Sequence, residues 1–248
     1  MYKKNKCYWM YSKHAIENAL LNPERNILEM LVEEKFSDFY KTFLKDHNLK
    51  KNIKINTVSK SIIIKKIGKL AKYQGAALLV EKLFYEDKKL LEKSILKDDF
   101  IIIIDRLNDP KNFGALLRVS YAFGITNIII LDRYMPEENG YIASIASGAL
   151  DKIKVFKVSN LINTIKYLKR NNWWVIGLEA KKLENCIDLK NQNNKFNKKV
   201  LIIGSENKGL RSLVRDNCDV LCRITTKNED LDSINVVQAT SIALYALV

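Results

Sequence analysis

The sequence predicts an α/β protein whose second half is a mostly parallel sheet covered by helices. Three observations lead there. From Phe100 onward, short apolar runs alternate with helical segments in a repeated strand–helix rhythm. The runs at 100–104 (FIIII) and 127–131 (NIIIL) are near-continuous in branched apolar residues, which marks strands buried on both faces. Small or polar residues then stand where these apolar runs meet a turn, the places where a backbone can approach a ligand.

The first ~80 residues read as a smaller α/β unit, near the lower size limit for an independent domain. A helix is expected over 12–21, with Ile16, Ala19 and Leu20 on one face, and Asn22-Pro23 stops it. A strand follows at 27–32. A helix over 37–46 has Phe36, Phe39, Tyr40 and Phe43 as its apolar face, read as core rather than as a stacking platform. An alternating strand at 53–58 leads to a helix over 59–70, capped by Ser59 or Ser61. The turn Tyr73-Gln74-Gly75 opens a strand at 76–80. Residues 85–98 are dense in charge and are expected to be a solvated linker or linker helix. The chain therefore divides into 1–84, a linker at 85–98, and 99–248.

In the second half, strands are expected at 100–104, 127–131, 153–158, 173–178, 200–203 and 219–224. Helices are expected at 112–123, 139–149, 160–171, 209–216 and 233–247. Pattern alone suggests a doubly wound nucleotide-binding sheet.

Composition narrows the function. In 248 residues, 47% hydrophobic and 28% charged content is ordinary for a globular chain. No apolar run approaches the ~20 residues of a membrane span, so no membrane partner is expected. The N-terminus has no apolar signal core, and a cytoplasmic protein is expected, with an organelle matrix as the alternative. Four scattered cysteines read as free thiols. Cys218 and Cys222 lack further Cys or His partners nearby, so no metal is expected. The net charge is +14. Residues 1–97 hold 21 Lys and Arg against 11 Asp and Glu, whereas 98–248 hold 21 against 17. From Lys50 to Lys72 there are eight lysines and no acid. Such an excess attracts a phosphate backbone.

Three segments carry the candidate chemistry. Asn112-Phe-Gly114-Ala-Leu-Leu-Arg118 starts a helix after a polar loop containing Pro110. Asn112 is expected at or near the N-cap, and Arg118 lies one turn beyond Gly114. A helix start together with a planar cation can hold phosphate. Leu201-Ile-Ile-Gly204-Ser205-Glu206-Asn207-Lys208-Gly209 is a strand that ends in two glycines around a glutamate. It is neither a Walker loop, which needs Gly-Lys-Ser/Thr, nor a Rossmann glycine pattern. Ser233-Ile234-Asn235-Val-Val-Gln-Ala-Thr240 opens the last helix, with Ser233 as a cap and Asn235 in its first turn. That helix is apolar almost all round, so it must be covered on several sides.

In this order, the three segments resemble the signature motifs of the SpoU (TrmH-type) RNA 2′-O-methyltransferases of the SPOUT class. The resemblance is strong over 99–248. It implies a parallel-sheet domain with a deep trefoil knot, S-adenosylmethionine as donor, RNA as substrate, and a homodimer. It places Asn112, Arg118, Glu206, Ser233 and Asn235 in the active site. It assigns Leu201, Gly204, Gly209, Ile224 and Ile234 to the donor site. The first half is similar to an L30e-like substrate-binding domain. There His14-Ala-Ile-Glu-Asn-Ala-Leu and Tyr73-Gln74-Gly75 echo the subgroup that methylates a guanosine ribose in large-subunit ribosomal RNA. A tRNA methyltransferase and a non-catalytic RNA-binding protein are the alternatives, and DNA is not expected. The chain departs from the family at Thr225-Thr226, where Pro-Met is usual, and at Val237, where a serine is usual.

Overall fold

A computed structural model describes residues 6–49, 53–69, 71–180, 183, 185–191, 197–205, 209–228 and 234–248. In chain order the elements begin with β1 (Cys7–Met10), α1 (Lys13–Leu21), β2 (Ile27–Val32), α2 (Glu34–Asp46), β3 (Ile55–Thr57), α3 (Lys60–Ile67), β4 (Ala76–Glu81) and α4 (Lys88–Ile95). They continue with β5 (Phe100–Ile104), α5 (Pro110–Ala122), β6 (Asn127–Leu131), α6 (Gly140–Ala146), β7 (Lys154–Val158) and α7 (Leu161–Arg170). The chain ends with β8 (Trp174–Leu178), β9 (Cys186–Asp188), β10 (Lys199–Ile203), α8 (Ser212–Arg215), β11 (Val220–Arg223) and α9 (Val236–Leu247).

The chain forms two compact units. The first is Met1–Leu83 together with Glu137–Lys152. Its sheet runs β1-β4-β2-β3, antiparallel at β1/β4 and β4/β2 and parallel at β2/β3. The sequence reading missed β1, a four-residue edge strand that is too short to show alternation. The segment 137–152 was read as part of the second half, yet it packs in this unit. Arg25 explains why. Its side chain is fully buried; Nε donates to Asp151 Oδ1 at 2.7 Å and Nη1 to Glu138 Oε1 at 2.6 Å. Tyr8 Oη also donates to Glu138, and burial pushes that phenol well up from its ordinary value. A buried charge must be paired, so Arg25 fixes where 137–152 can lie. Gly148, at φ +94°, closes α6 against α1: a Cβ there would lie 2.3 Å from Asn18 Nδ2.

The second unit is Phe84–Pro136 with Ile153–Val248. Its seven strands are all parallel, in the order β7-β6-β5-β10-β8-β11-β9. Ile101, Ile103, Val200, Ile202 and Val175 pack on one face with Ile165 and Leu168 of α7. Of the two forms expected for 85–98, a solvated linker or a helix, the structure has a helix, α4. Leu91 and Ile95, one turn apart on α4, are buried in that same core, while Lys89 and Lys93 are exposed.

Several boundaries differ for local reasons. The cap of α5 is Asp109, which accepts from Lys111 N at 2.8 Å, and Pro110 takes the first helical position. Asn112 therefore lies inside the first turn rather than at the cap. The helix expected over 209–216 shrinks to α8, because Gly209 at φ +64° is still in the preceding turn. The last helix begins at 236, with Asn235 as its cap. The three-residue edge strand β9 was too short to be read.

Arg25→Ala would leave two carboxylates buried without their shared cation. The expected cost is about 3–5 kcal/mol. A urea titration followed by circular dichroism measures it, and a loss below ~1 kcal/mol would show that Arg25 does not hold segment 137–152.

Candidate active site

β10 is the central strand of its sheet, and the site grows from its C-terminal end. In the paired register, Ile104, Ile203 and Leu178 lie side by side. The next residue of each strand is Asp105, Gly204 and Glu179. In parallel sheets this edge is where ligands bind.

Gly204 is buried, and a Cβ on it would lie 2.2 Å from the carbonyl carbon of Gly209, so no side chain fits. Ser205 and Gly209 exchange both backbone hydrogen bonds, at 2.9 and 3.0 Å. Gly209 takes a left-handed backbone, and a Cβ on it would meet Glu179 Oε1 at 2.6 Å. Glu206 lies between these ends, outside the described residues.

Two buried carboxylates flank this turn. Asp105 accepts from Arg211 Nε at 2.8 and 2.9 Å, and its amide donates to Ile203 O at 2.9 Å. Glu179 accepts from Arg215 Nε at 3.1 Å, and Arg215 Nη2 lies 3.1 Å from the same oxygen. Its own amide donates to Cys222 O at 2.8 Å. Asp105 is 1% exposed and Glu179 2%. Sequence reading missed all four residues. The available signal was a carboxylate directly after each of two wholly apolar strands.

The third segment meets the first. Asn235 caps α9, accepting from Val237 N at 2.9 Å. Its Nδ2 donates to Asn112 Oδ1 at 3.4 Å, joining residues 123 apart in sequence. Ser233, expected as the cap, lies outside the described residues. Ile224 and Ile234 are half-buried on either side of that segment. Leu201 is a correction: it sits inside the sheet beside Ile102 and Ile176 with 0% exposure, so it is core and has no open surface. At the departure from the family pattern, Thr225 hydrogen-bonds Asp188. That bond and the Lys190 amide hold the Asp188 carboxyl below its ordinary range.

Arg118 is exposed and has no hydrogen-bond or ion-pair partner among the described residues. It is not brought against Asn112. Helix geometry places it roughly 9 Å further along α5 and about 120° around it. A cleft of about 380 Å³ opens at the ends of β6 and β7, lined by Arg133, Tyr134, Asn160 and Arg211 among others. The Arg106 guanidinium lies over the Tyr134 ring at 4.6 Å from its centroid. Among the described residues no cluster of His, Cys, Asp and Glu could hold a metal. The Cys218 thiol donates to Val214 O at 3.3 Å, and burial pushes it up to about 12. No described helix is long and apolar enough to cross a membrane.

The chain matches known proteins over this whole arrangement. The profile of the SpoU rRNA Methylase family matches residues 99–245. The 23S rRNA (guanosine-2′-O-)-methyltransferase RlmB of Xylella fastidiosa is 29% identical, over 100% of this chain and 98% of that protein. A Staphylococcus aureus protein assigned to the TrmH family of tRNA/rRNA methyltransferases is 32% identical, over 94% of this chain and 92% of its own. In structure, the AdoMet-bound rRNA methyltransferase of Sinorhizobium meliloti superposes with a TM-score of 0.79, 18% identity, and coverage of 97% and 86%. The SpoU methyltransferase AviRb of Streptomyces viridochromogenes, in complex with AdoMet, gives 0.80, 17%, 97% and 89%. The parallel-sheet architecture is thus that of SPOUT methyltransferases, and the chain is a methyltransferase belonging to the SpoU rRNA methylase family.

Proposed function

We propose that this chain transfers a methyl group from S-adenosylmethionine to the 2′-hydroxyl of a guanosine ribose in 23S-type ribosomal RNA. The observation that carries the reading is the Asn235–Asn112 contact, which joins the first and third family segments. The full-length relative names a guanosine of 23S rRNA.

S-adenosylmethionine, when bound, supplies an electrophilic methyl on its sulfonium. The donor set fits it. A purine asks for apolar walls and backbone polar partners. Half-buried Ile224 and Ile234, with the glycine-bracketed turn of Gly204 and Gly209, offer both. Glu206 and Ser233 keep the active-site roles that the family resemblance implies.

As the new O–C bond forms and the methyl's bond to sulfur breaks, the ribose hydroxyl gives up its proton to solvent water. Arg118 carries a planar guanidinium, which donates hydrogen bonds and has no lone pair to offer as a base. Its fixed charge instead holds the target phosphate and steadies the developing oxyanion. Arg133, and Tyr134 stacked on Arg106, form a rim on which RNA can rest.

Further parts of the reading follow. The first unit, a four-stranded sheet with helices, is read as an L30e-like RNA-binding domain, and its basic surface supports that. The knot is read from β10 lying between β5 and β8 while α9 packs on α5. Free cysteines fit a cytoplasmic protein. The homodimer is read from the open face of α9. Ile242, Tyr245 and Val248 are 43%, 83% and 62% exposed there, and Tyr121 of α5 is 45% exposed. A second copy covers such a face, and an obligate pair typically buries ~2,000 Å² or more.

Incubating the protein with tritiated donor and 23S rRNA lacking ribose methylation, then mapping the label, tests the activity. Label at one guanosine ribose is expected; label on tRNA alone overturns the substrate. Arg118→Ala should lower turnover about 10²–10³-fold, with donor affinity measured by calorimetry unchanged. Near-normal turnover removes Arg118 from the mechanism.

RNA affinity should fall steeply with salt, about 0.7–0.9 in log K per log salt for each phosphate contact. Neutralising Lys60, Lys65 and Lys66 together should flatten that slope by about 2. An unchanged slope moves the RNA-binding face elsewhere.

Ile242→Glu with Tyr245→Glu should give a folded monomer by sedimentation equilibrium, with activity lost. Leu244 is unsuitable for this test because it is buried within its own chain. A wild-type monomer that methylates RNA overturns the dimer.

A further inference from the structure

We infer that two ion pairs on buried carboxylates, Asp105–Arg211 and Glu179–Arg215, are positioning devices that preset the backbone of Gly204, Ser205 and Gly209 for the methyl donor. This rests on the reading that the turn belongs to the donor site.

The argument begins with register. Asp105, Gly204 and Glu179 follow the paired row Ile104–Ile203–Leu178, so a carboxylate stands at each side of Gly204. Both carboxylates are buried, and both cations come from the residues immediately after the turn. Arg211 is the cap residue of α8, and Arg215 is its last residue. The stretch after the turn is therefore pinned in two directions. Arg211 pulls it toward β5, with Nε on both Asp105 oxygens and Nη2 close to Oδ1. Arg215 pulls it toward β8 through Glu179, and its Nη2 also donates to Leu210 O at 3.2 Å.

Glu179 has a second contact. Its Oε1 accepts from Ala180 N at 3.1 Å and would lie 2.6 Å from a Cβ on Gly209. One carboxylate thus fixes a cation through one oxygen and bounds the backbone of Gly209 with the other. The left-handed conformation of Gly209 and its two hydrogen bonds to Ser205 are held by that wall.

Buried ion pairs often add little net stability, because desolvation offsets the attraction. What two such pairs on one short segment supply is a single conformation. A donor that is held by backbone groups gains from this, since no ordering cost is left for the binding step. Both pairs lie behind the turn and act on the donor through it.

The test uses the full chain and S-adenosylmethionine. Glu179→Gln keeps the shape and removes the charge. Arg211→Lys and Arg215→Lys keep the charge and lose the fork. The lysine variants read the same quantity if Glu179→Gln does not fold, because Arg211 and Arg215 are 37% and 28% exposed and can reach water. Each variant should raise the donor Kd and the donor KM about tenfold, within the range seen for contacting groups. Turnover at saturating donor, RNA KM and melting temperature should stay near wild type. A merely structural role would move these together.

Gly209→Ala provides the coupling. Alone it should weaken donor binding about tenfold; in a Glu179→Ala background it should weaken it only about threefold, because the opposing oxygen is gone. If the wild type binds donor and Glu179→Gln, Arg211→Lys and Arg215→Lys bind it equally well, the positioning role is overturned and the site reading stands. If the wild type binds no donor, the reading of the site itself fails, and the inference with it.

Discussion

β10 has no edge of its own. It is hydrogen-bonded along both sides, to β5 and to β8, in the middle of a seven-stranded parallel sheet. Its backbone groups are satisfied by neighbours that arrive from very different parts of the chain, and its side chains are closed off on both faces. The strand cannot shift register without unpairing both partners. Everything at its C-terminal end inherits that fixity. Gly204 emerges at one defined place, between two carboxylates, and the turn that follows is folded back through Ser205 and Gly209.

The polar groups around that point are arranged in tiers. Nearest are backbone groups and glycines, where nothing larger fits. Behind them are charges that are fully paired and therefore silent toward a ligand: Asp105, Glu179 and their arginines. Further out, Arg118 and Arg133 are open to solvent. The proposed reaction joins a compact sulfonium donor to a bulky polyanion, and under that proposal paired charges near the donor avoid repelling it while open arginines are left for phosphates.

The first unit depends on a different constraint. Its sheet alone would have left Arg25 as a buried, unpaired cation. Glu138 and Asp151, more than 110 residues away, supply the countercharge. The unit is thereby assembled from two stretches of chain. Sequence periodicity describes which face of a helix is apolar, not which core receives it, so 137–152 could be read as a helix but not placed. The same limit applies to α4. Its charge density suggested a linker, while the two residues that matter, Leu91 and Ile95, are a minority of the segment.

What the sequence determined by itself is therefore local and chemical. The apolar runs at 100–104, 127–131 and 200–203 could only be buried strands, because branched side chains without alternation leave no face for water. Asp109-Pro110 and Asn235 start helices by capping chemistry that needs no tertiary partner, two or three residues away from Asn112 and Ser233, where the sequence reading expects the caps. The spacing of Asn112, Arg118, Gly204, Gly209 and Asn235 carried the family resemblance. What only the tertiary structure decided is which strand ends meet. Strand order brings 105, 179 and 204 into one row and Asn235 onto Asn112, although each lies tens of residues or more from its partner in the chain. It also closes Leu201 into the core, where the family resemblance implies a place at the donor. Side-by-side placement in a parallel sheet is set by register against neighbours, and no single segment contains its neighbours' register.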